Sequence, residues 1–310
     1  MTEHAFLLLC ALLLDAALGE PRWLWDRAPH PAVLMGWLID WCDRRFNTGD
    51  LRRAHGLYVI VVLGGLAMAL GWIVASLPLG SVFEIVIAAI LLAQKSLVDH
   101  VRAVADGLRQ SLDAGRREVR MLVGRDTADL DESAIARAAI ESAAENLSDG
   151  VVAPAFWFLI GGLPGIFLYK ITNTADSMIG HRTERHEEFG WAAARLDDVL
   201  NWIPARLTAA FIALVSGVPG AWQAARREGP LHRSVNAGWP EAAMARALDL
   251  ALSGPRSYGG QMTDDPILNP TGRRAATPED IETACKILWR VCAAMVGSVL
   301  LLALLTRLAG

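Results

Sequence analysis

Two long apolar runs dominate the first third of the chain, Leu57 to Leu77 and Val82 to Val98, with Pro78-Leu79-Gly80 between them. Each run is about as long as a helix needs to cross the hydrocarbon layer, and the Pro-Gly punctuation supplies a turn, so residues 57–98 are expected to form an antiparallel transmembrane hairpin. Both of its ends then emerge on one side. A last span is expected over residues 287–308, interrupted early by Arg290. The run from Phe6 to Leu14 lacks a positively charged flank and is interrupted by Asp15, so it is expected to be retained and not removed as a leader.

The middle of the chain has shorter apolar segments with breaks inside them. Val151 to Tyr169 is interrupted by Gly161-Gly162-Leu163-Pro164-Gly165, and Leu207 to Trp222 by Ser216-Gly217-Val218-Pro219-Gly220. Such a segment is either a kinked span or a pair of half-helices that enters and returns, and we favour the re-entrant form for the first. Residues 99–149 hold too many charges for lipid and are expected to form a helical segment outside it, with helix-forming composition from Ala134 to Asn146. Residues 150–222 then form a core region of broken apolar helices, and residues 223–286 a polar, loop-rich stretch. The expected class is all-α: a single domain over residues 1–310, a polytopic integral membrane protein with short broken or re-entrant helices and a cytoplasmic helical and loop portion.

Charge sets the orientation. Arg44, Arg45, Arg52 and Arg53 precede the hairpin, and Arg102, Arg109, Arg116, Arg117, Arg120 and Arg125 follow it, which makes that side cytoplasmic by the positive-inside rule. The chain has 310 residues, 53% hydrophobic and 20% charged, with a mean hydropathy of +0.32, so much of it must also stand outside lipid. A net charge of −4 with acids and bases interleaved gives no electrostatic footprint for nucleic acid. Cys10, Cys42, Cys285 and Cys292 form no CxxC pair and are expected as buried free thiols.

Candidate chemistry concentrates between Glu141 and Arg206. Glu141 and Glu145 are four apart on one helical face, with Asn146 and Asp149 following, and two stacked carboxylates call for a cation, a basic partner or a shared proton. Lys170, Asn173 and Asp176 recur at three-residue steps, with Thr174 beside Lys170. Arg195 stands three before Asp198, and Asp197 four before Asn201. Asp197 and Asp198 offer oxygen ligands suited to Mg²⁺, and Arg195 and Arg206 suit phosphate. Asn236 reads as a helix cap ahead of Pro240 and Glu241, and Gly254 to Gly260 as a turn that lets backbone approach a ligand. His181 and His186 read as solvated loop residues without a third zinc ligand. No Walker loop, dinucleotide-binding glycine triplet or GxSxG turn is present.

Together, Glu141-Ser142-Ala143-Ala144-Glu145-Asn146-Leu147-Ser148-Asp149-Gly150, Tyr169-Lys170 with Asn173-Thr174-Ala175-Asp176-Ser177-Met178, and Arg195-Leu196-Asp197-Asp198-Val199-Leu200-Asn201 with Ile203-Pro204-Ala205-Arg206 resemble the CobD/CbiB family of cobalamin biosynthesis. The likeness continues through Leu18-Gly19-Glu20-Pro21, His30-Pro31 and Asn236-Ala237-Gly238 with Pro240-Glu241, with Glu20 standing where an Asp is more usual. The resemblance implies an adenosylcobinamide-phosphate synthase of the bacterial inner membrane, with its active site on the cytoplasmic face. Such an enzyme is an ATP-dependent ligase joining adenosylcobyric acid to (R)-1-amino-2-propanol or its O-phosphate. It implies ATP and Mg²⁺ as cosubstrates, lipid contact and other late cobalamin enzymes as partners.

Chemistry then distributes the roles. Glu141, Glu145, Lys170, Asp176 and Asp198 are candidate catalytic groups, Asn146, Asn173, Arg195, Asn201, Arg206 and Asn236 candidate substrate or phosphate ligands, and Asp197 and Asp198 candidate Mg²⁺ ligands. The absence of a known nucleotide cradle implies a noncanonical ATP site. A corrinoid transporter and a noncatalytic AmpE-like signalling or scaffold protein are the two other classes.

Overall fold

The computed structural model describes residues 2–124, 126–258 and 261–308. Arg125 and the Gly259-Gly260 part of the glycine-rich turn lie outside the described residues. In chain order the elements are α1 (Thr2–Leu18), α2 (Arg22–Trp25), α3 (Pro31–Phe46), α4 (Arg52–Ala75), α5 (Gly80–Leu91), α6 (Gln94–Gln110), α7 (Leu112–Arg120), α8 (Glu132–Leu147), α9 (Ala153–Ile179), α10 (Trp191–Ser216), α11 (Ala221–Glu228), α12 (Gly238–Leu248), β1 (Leu252–Ser253), β2 (Arg256–Tyr258), β3 (Gln261–Thr263), β4 (Ile267–Leu268) and α13 (Pro278–Leu308). The protein is all-α apart from two small antiparallel ribbons, β1 with β4 and β2 with β3. Among the described residues five helical stretches, Arg52–Ala75, Gly80–Gln110, Glu132–Ile179, Trp191–Ser216 and Pro278–Leu308, are long and apolar enough to cross a bilayer, the composition of a multi-pass membrane protein.

The chain folds as two compact units, one built from residues 1–93, 153–201 and 298–310, the other from residues 94–152 and 202–297. In the first, α4 is the spine. Its Val59, Ile60 and Leu63 pack with Ile39 and Cys42 of α3, Ile171, Ala175 and Ile179 of α9, and Phe189, Ala192 and Ala193. Its opposite face leaves Leu57, Val61, Leu66, Leu70 and Ile73 exposed, as a lipid-facing surface does. Glycines bring α9 against α4: a Cβ on Gly71 would stand 2.5 Å from Pro164 N, and one on Gly64 3.0 Å from Leu168.

The segment 153–179 is not one straight helix. Gly162 has φ 58° and ψ −147°, a conformation that glycine alone adopts without strain, and it divides Ala153–Gly161 from Leu163–Ile179. Beyond it the chain doubles back. Gly165 packs against the Trp157 carbonyl, and Ala153 and Tyr169 meet in one buried cluster with Leu200. In a straight helix residues 153 and 169 would be about 24 Å apart. The break is therefore a reversal, as the re-entrant reading requires.

Other boundaries differ from the sequence reading. The second arm of the hairpin ends at Leu91 because Leu92 is extended (ψ 151°), and Gln94 begins a separate amphipathic helix whose face of Leu97, Val98, Val101, Val104 and Leu108 is buried. In the second unit α6 and α7 form a tight helical hairpin, with Gly107 against Ala114 and Gly115 against Leu108. α8 is largely buried from Ile135 to Ala144, so residues 99–149 are not all surface. The polar run through Arg195 to Arg206 and the apolar run after it form one continuous helix, α10, which ends where Gly217 (φ 65°) and Gly220 (φ 88°) turn the chain. Residues 223–286 include α12, whose Ala242, Ala243, Met244 and Ala245 are core. The last helix begins at Pro278, well before the expected span. Cys42, Cys285 and Cys292 are buried, Cys10 is partly so, and all four are free.

Candidate functional site

In the first unit, α9 after its reversal and α10 carry their polar residues toward each other. Asp197 is buried and accepts two side-chain amides, Asn173 Nδ2 on Oδ1 at 3.2 Å and Asn201 Nδ2 on Oδ2 at 2.9 Å. Asn201 in turn accepts the Tyr169 hydroxyl at 3.1 Å, and Tyr169 is fully buried. The result is an ordered network in which Tyr169 donates to Asn201, and Asn201 and Asn173 both donate to Asp197, so that each donor meets one acceptor. Spacing explains it: Asp197 and Asn201 are one helical turn apart on α10, and Tyr169 and Asn173 one turn apart on α9. Trp157 Nε1 donates to Leu200 O at 3.0 Å and closes the side of the network.

Lys170 follows Tyr169 on α9. Asp176 lies two turns below Tyr169, its Oδ1 only 1.9 Å from where a Cβ on Gly180 would stand. The charges of Asp176 and Asp198 both reach Asp197. Asp198 turns away to pair with Arg195 at 3.0 Å. The adjacent acids proposed as a metal pair thus have different partners, since neighbouring helix positions diverge by about 100°. Among the described residues no three His, Cys, Asp or Glu side chains converge as a metal site. The donor set still fits a Mg²⁺ ion held by one carboxylate, with phosphate oxygens and water completing it.

Glu20 and His30, named above only for their resemblance, belong to the same unit. His30 caps α3: its Nδ1 accepts Ala32 N at 3.2 Å, leaving Nε2–H for the Ile90 carbonyl at 3.2 Å. Burial pushes this imidazole below its ordinary value; Glu20 and the Ile90 carbonyl oppose the shift, and the charge of Lys170 adds to it. His30 thus stays neutral beside a cation. The loop joining α9 to α10 is tied down by Asp43, which accepts Arg185 Nε at 3.0 Å, Arg185 Nη2 at 2.7 Å and Asn47 Nδ2 at 2.8 Å, with His186 Nε2 at 3.4 Å. His186 is therefore a partly buried partner of Asp43, not a solvated loop residue; His181 is exposed as expected.

The remaining candidates stand in the second unit. Glu141 is buried and accepts the Ser253 backbone N–H at 2.7 Å, whereas Glu145, one turn on, is exposed. The stacked-carboxylate conflict is thus resolved by separating the two environments. Asn146 Nδ2 is spent on Ser142, on its carbonyl at 2.9 Å and its hydroxyl at 3.0 Å. The Arg206 guanidinium lies over the rings of both Trp202 and Trp239, 4.5 Å from each centroid. Its edge donates to Trp202 O at 2.8 Å, Asn236 Oδ1 at 2.9 Å and Val235 O at 3.3 Å. With two rings and three acceptors around it, Arg206 clamps the 232–238 loop.

Asn236 is not a cap. The N-cap of α12 is Ala237, without a side-chain bond, while Ser234 Oγ accepts Asn236 N and Ala237 N. Nearby, His232 Nδ1 accepts Ser234 N at 3.1 Å, so its Nε2 proton faces Glu241 at 3.7 Å, both side chains being almost fully buried.

A family model described as CobD/Cbib protein matches residues 8–288. The chain belongs to the CobD/CbiB family. Proteins named "Cobalamin biosynthesis protein CobD" resemble it closely: that of Brucella anthropi is 48% identical over the whole of both chains, and that of a Sinorhizobium species 49% identical over 98% of this chain and 100% of its own. The Rhodobacter capsulatus protein is 47% identical over 87% of this chain and 88% of its own. No solved structure matches. As a CobD/CbiB member the chain is a cobalamin biosynthesis protein, and its role is biosynthetic. Of the CobD/CbiB-like motifs, the Lys170–Asp176 and Arg195–Asn201 segments meet in one network, while Glu141–Asp149 and Arg206 with Asn236 organise the other unit. Tyr169 was legible beside Lys170 in the sequence, but its phenol had no assigned partner until α9 reversed.

Proposed function

We propose that the chain is an ATP-dependent amide ligase that joins adenosylcobyric acid to (R)-1-amino-2-propanol or its O-phosphate at the cytoplasmic face of the bacterial inner membrane. The observation that supports it most is the buried Asp197 carboxylate, oriented by Asn173 and Asn201 and reached through Tyr169. Amide formation needs a base for the proton that the attacking amine loses, and a carboxylate with both oxygens fixed by neutral donors is placed for that. ATP would supply the phosphoryl group on which the substrate carboxylate oxygen departs, with Mg²⁺ screening the phosphates. Lys170 and Arg195 neutralise phosphate oxygens. Asp198 holds Arg195 in place and would offer its other oxygen to a bound Mg²⁺.

Protein in nanodiscs, given Mg²⁺-ATP, adenosylcobyric acid and aminopropanol phosphate, is expected to yield adenosylcobinamide phosphate. Lys170→Ala and Asp197→Asn are expected to remove turnover while the protein still inserts and melts as wild type. Absence of product and nucleotide turnover, with every substrate shown to bind, overturns the ligase reading. A corrinoid transporter keeps one observation on its side, the buried Glu84 facing His4 within the apolar helices α5 and α1. Binding and counterflow of corrinoid without chemistry would decide for it.

A further inference from the structure

The reversal at Gly162 has a cost that the apolar surroundings do not relieve. A helix that ends leaves carbonyls without partners, and one that begins leaves N–H groups without partners, each expensive away from water. Here both ends occur within a few residues, among apolar helices. Two ionisable side chains, neither of which belongs to the motifs that suggested the chemistry, meet them. His4 of α1 directs Nδ1 to the Leu159 carbonyl at 3.4 Å, at the end of the first half-helix. Glu84 of α5, buried, accepts the Leu163 N–H at the start of the second. A Cβ on Gly162 would lie 3.0 Å from His4 Nε2 and 3.2 Å from Glu84 Oε2, so the two side chains close over that glycine. The polarity matches the half-helix dipoles, an acid at an N-terminus and an imidazole donor at a C-terminus.

We propose that His4 and Glu84 are positioning residues of the site. Together they hold the reversed hairpin shut, and the position of the turn fixes where Tyr169, Lys170 and Asn173 stand, one to two turns beyond Leu163–Ile166 on the same rigid helix. The proposal rests on the reading of the Asp197 network as the site, but its test does not need turnover. Glu84→Leu removes the acceptor, whereas Glu84→Gln keeps an oxygen for Leu163 N–H. Gly162→Ala attacks the same contact from the other side, with a methyl that must displace both residues, and serves if Glu84→Leu does not insert.

Two readouts are taken in nanodiscs: hydrogen exchange of a peptide covering residues 159–169, and the rate at which an amine-reactive reagent labels Lys170, with exposed Lys286 as internal reference. Glu84→Leu and Gly162→Ala are expected to speed exchange of the hairpin amides at least tenfold and to change Lys170 labelling several-fold. Glu84→Gln is expected to restore both toward wild type. Unchanged exchange in Glu84→Leu and Gly162→Ala overturns the latch. Faster exchange with unchanged Lys170 labelling overturns the positioning role. If the wild type makes no product yet the variants show these shifts, the ligase reading fails and the latch stands.

Discussion

Asp43→Ala tests whether the loop between α9 and α10 is held from α3 or merely rests there. The wild-type carboxylate is buried and accepts three hydrogen bonds at 3.0 Å or less, two from Arg185 and one from Asn47. A bond to a charged acceptor is worth about 1.5–3 kcal/mol when buried. The Arg185 side chain is 55% exposed, so water replaces much of what it loses, and the pair with Arg185 is discounted to about 1 kcal/mol. Asn47 is buried and keeps only its bond to the Arg185 carbonyl, which adds about 1–2 kcal/mol. The sum is about 2–3 kcal/mol. With an unfolding entropy of about 2.1 cal/mol/K per residue over 310 residues, this corresponds to a fall in Tm of about 3–5 °C.

The buried cysteines provide the assay, because a thiol-reactive dye reports their exposure as detergent-solubilised protein melts, and Cys42 lies next to Asp43. The pH dependence has a definite sign. Burial raises the Asp43 pKa, but the bonds from Arg185, Asn47 and His186 outweigh it and hold the carboxyl below its usual 3.8. A depressed carboxyl contributes in full above the unfolded-state value and loses that contribution as pH falls through the folded one. The wild-type advantage is therefore expected to be flat from pH 8 to 5 and to shrink only below about 4. A difference below 1 °C refutes the anchoring argument, and one that does not shrink below about pH 4 refutes the assignment to Asp43.

Tyr169→Phe removes the donor to Asn201 and frees its amide to rotate; ligase turnover is expected to fall at least tenfold with a loss of only about 1–3 kcal/mol in stability. Unaltered turnover would place the reacting groups away from this network. Arg206→Ala breaks two cation–π contacts worth about 0.5–2 kcal/mol each and removes one hydrogen bond to Asn236, so the protein should melt lower while KM for ATP in the proposed ligase assay stays within twofold. A tenfold rise in KM at unchanged Tm would restore Arg206 as a phosphate ligand. Gly180→Ala sets a methyl at 1.9 Å from Asp176 Oδ1, which must move; turnover should drop at least fivefold, and normal kinetics would remove Asp176 from the site.

The sequence by itself determined the class, the long apolar helices and the family, because span length, the Pro-Gly turn and the motif order are one-dimensional properties. Glu141–Arg206 was legible as the polar centre, and Gly161–Gly165 as a break, because glycine and proline act locally on backbone. The stop at Ser216 was legible in the same way, whereas the boundaries at Leu91 and Pro278 were not: they depend on which face finds a partner, as the extended Leu92 and the buried Gln94 show. Side-chain roles separated in the same way. Asp197 and Asp198 are neighbours in the chain, but their directions on α10 send one to two buried amides and the other to Arg195. Only the tertiary structure decided that Arg206 meets Trp239, that His186 answers to Asp43, and that His4 and Glu84 close over Gly162. Those pairings join residues far apart in the chain, and no local periodicity carries the distance between them.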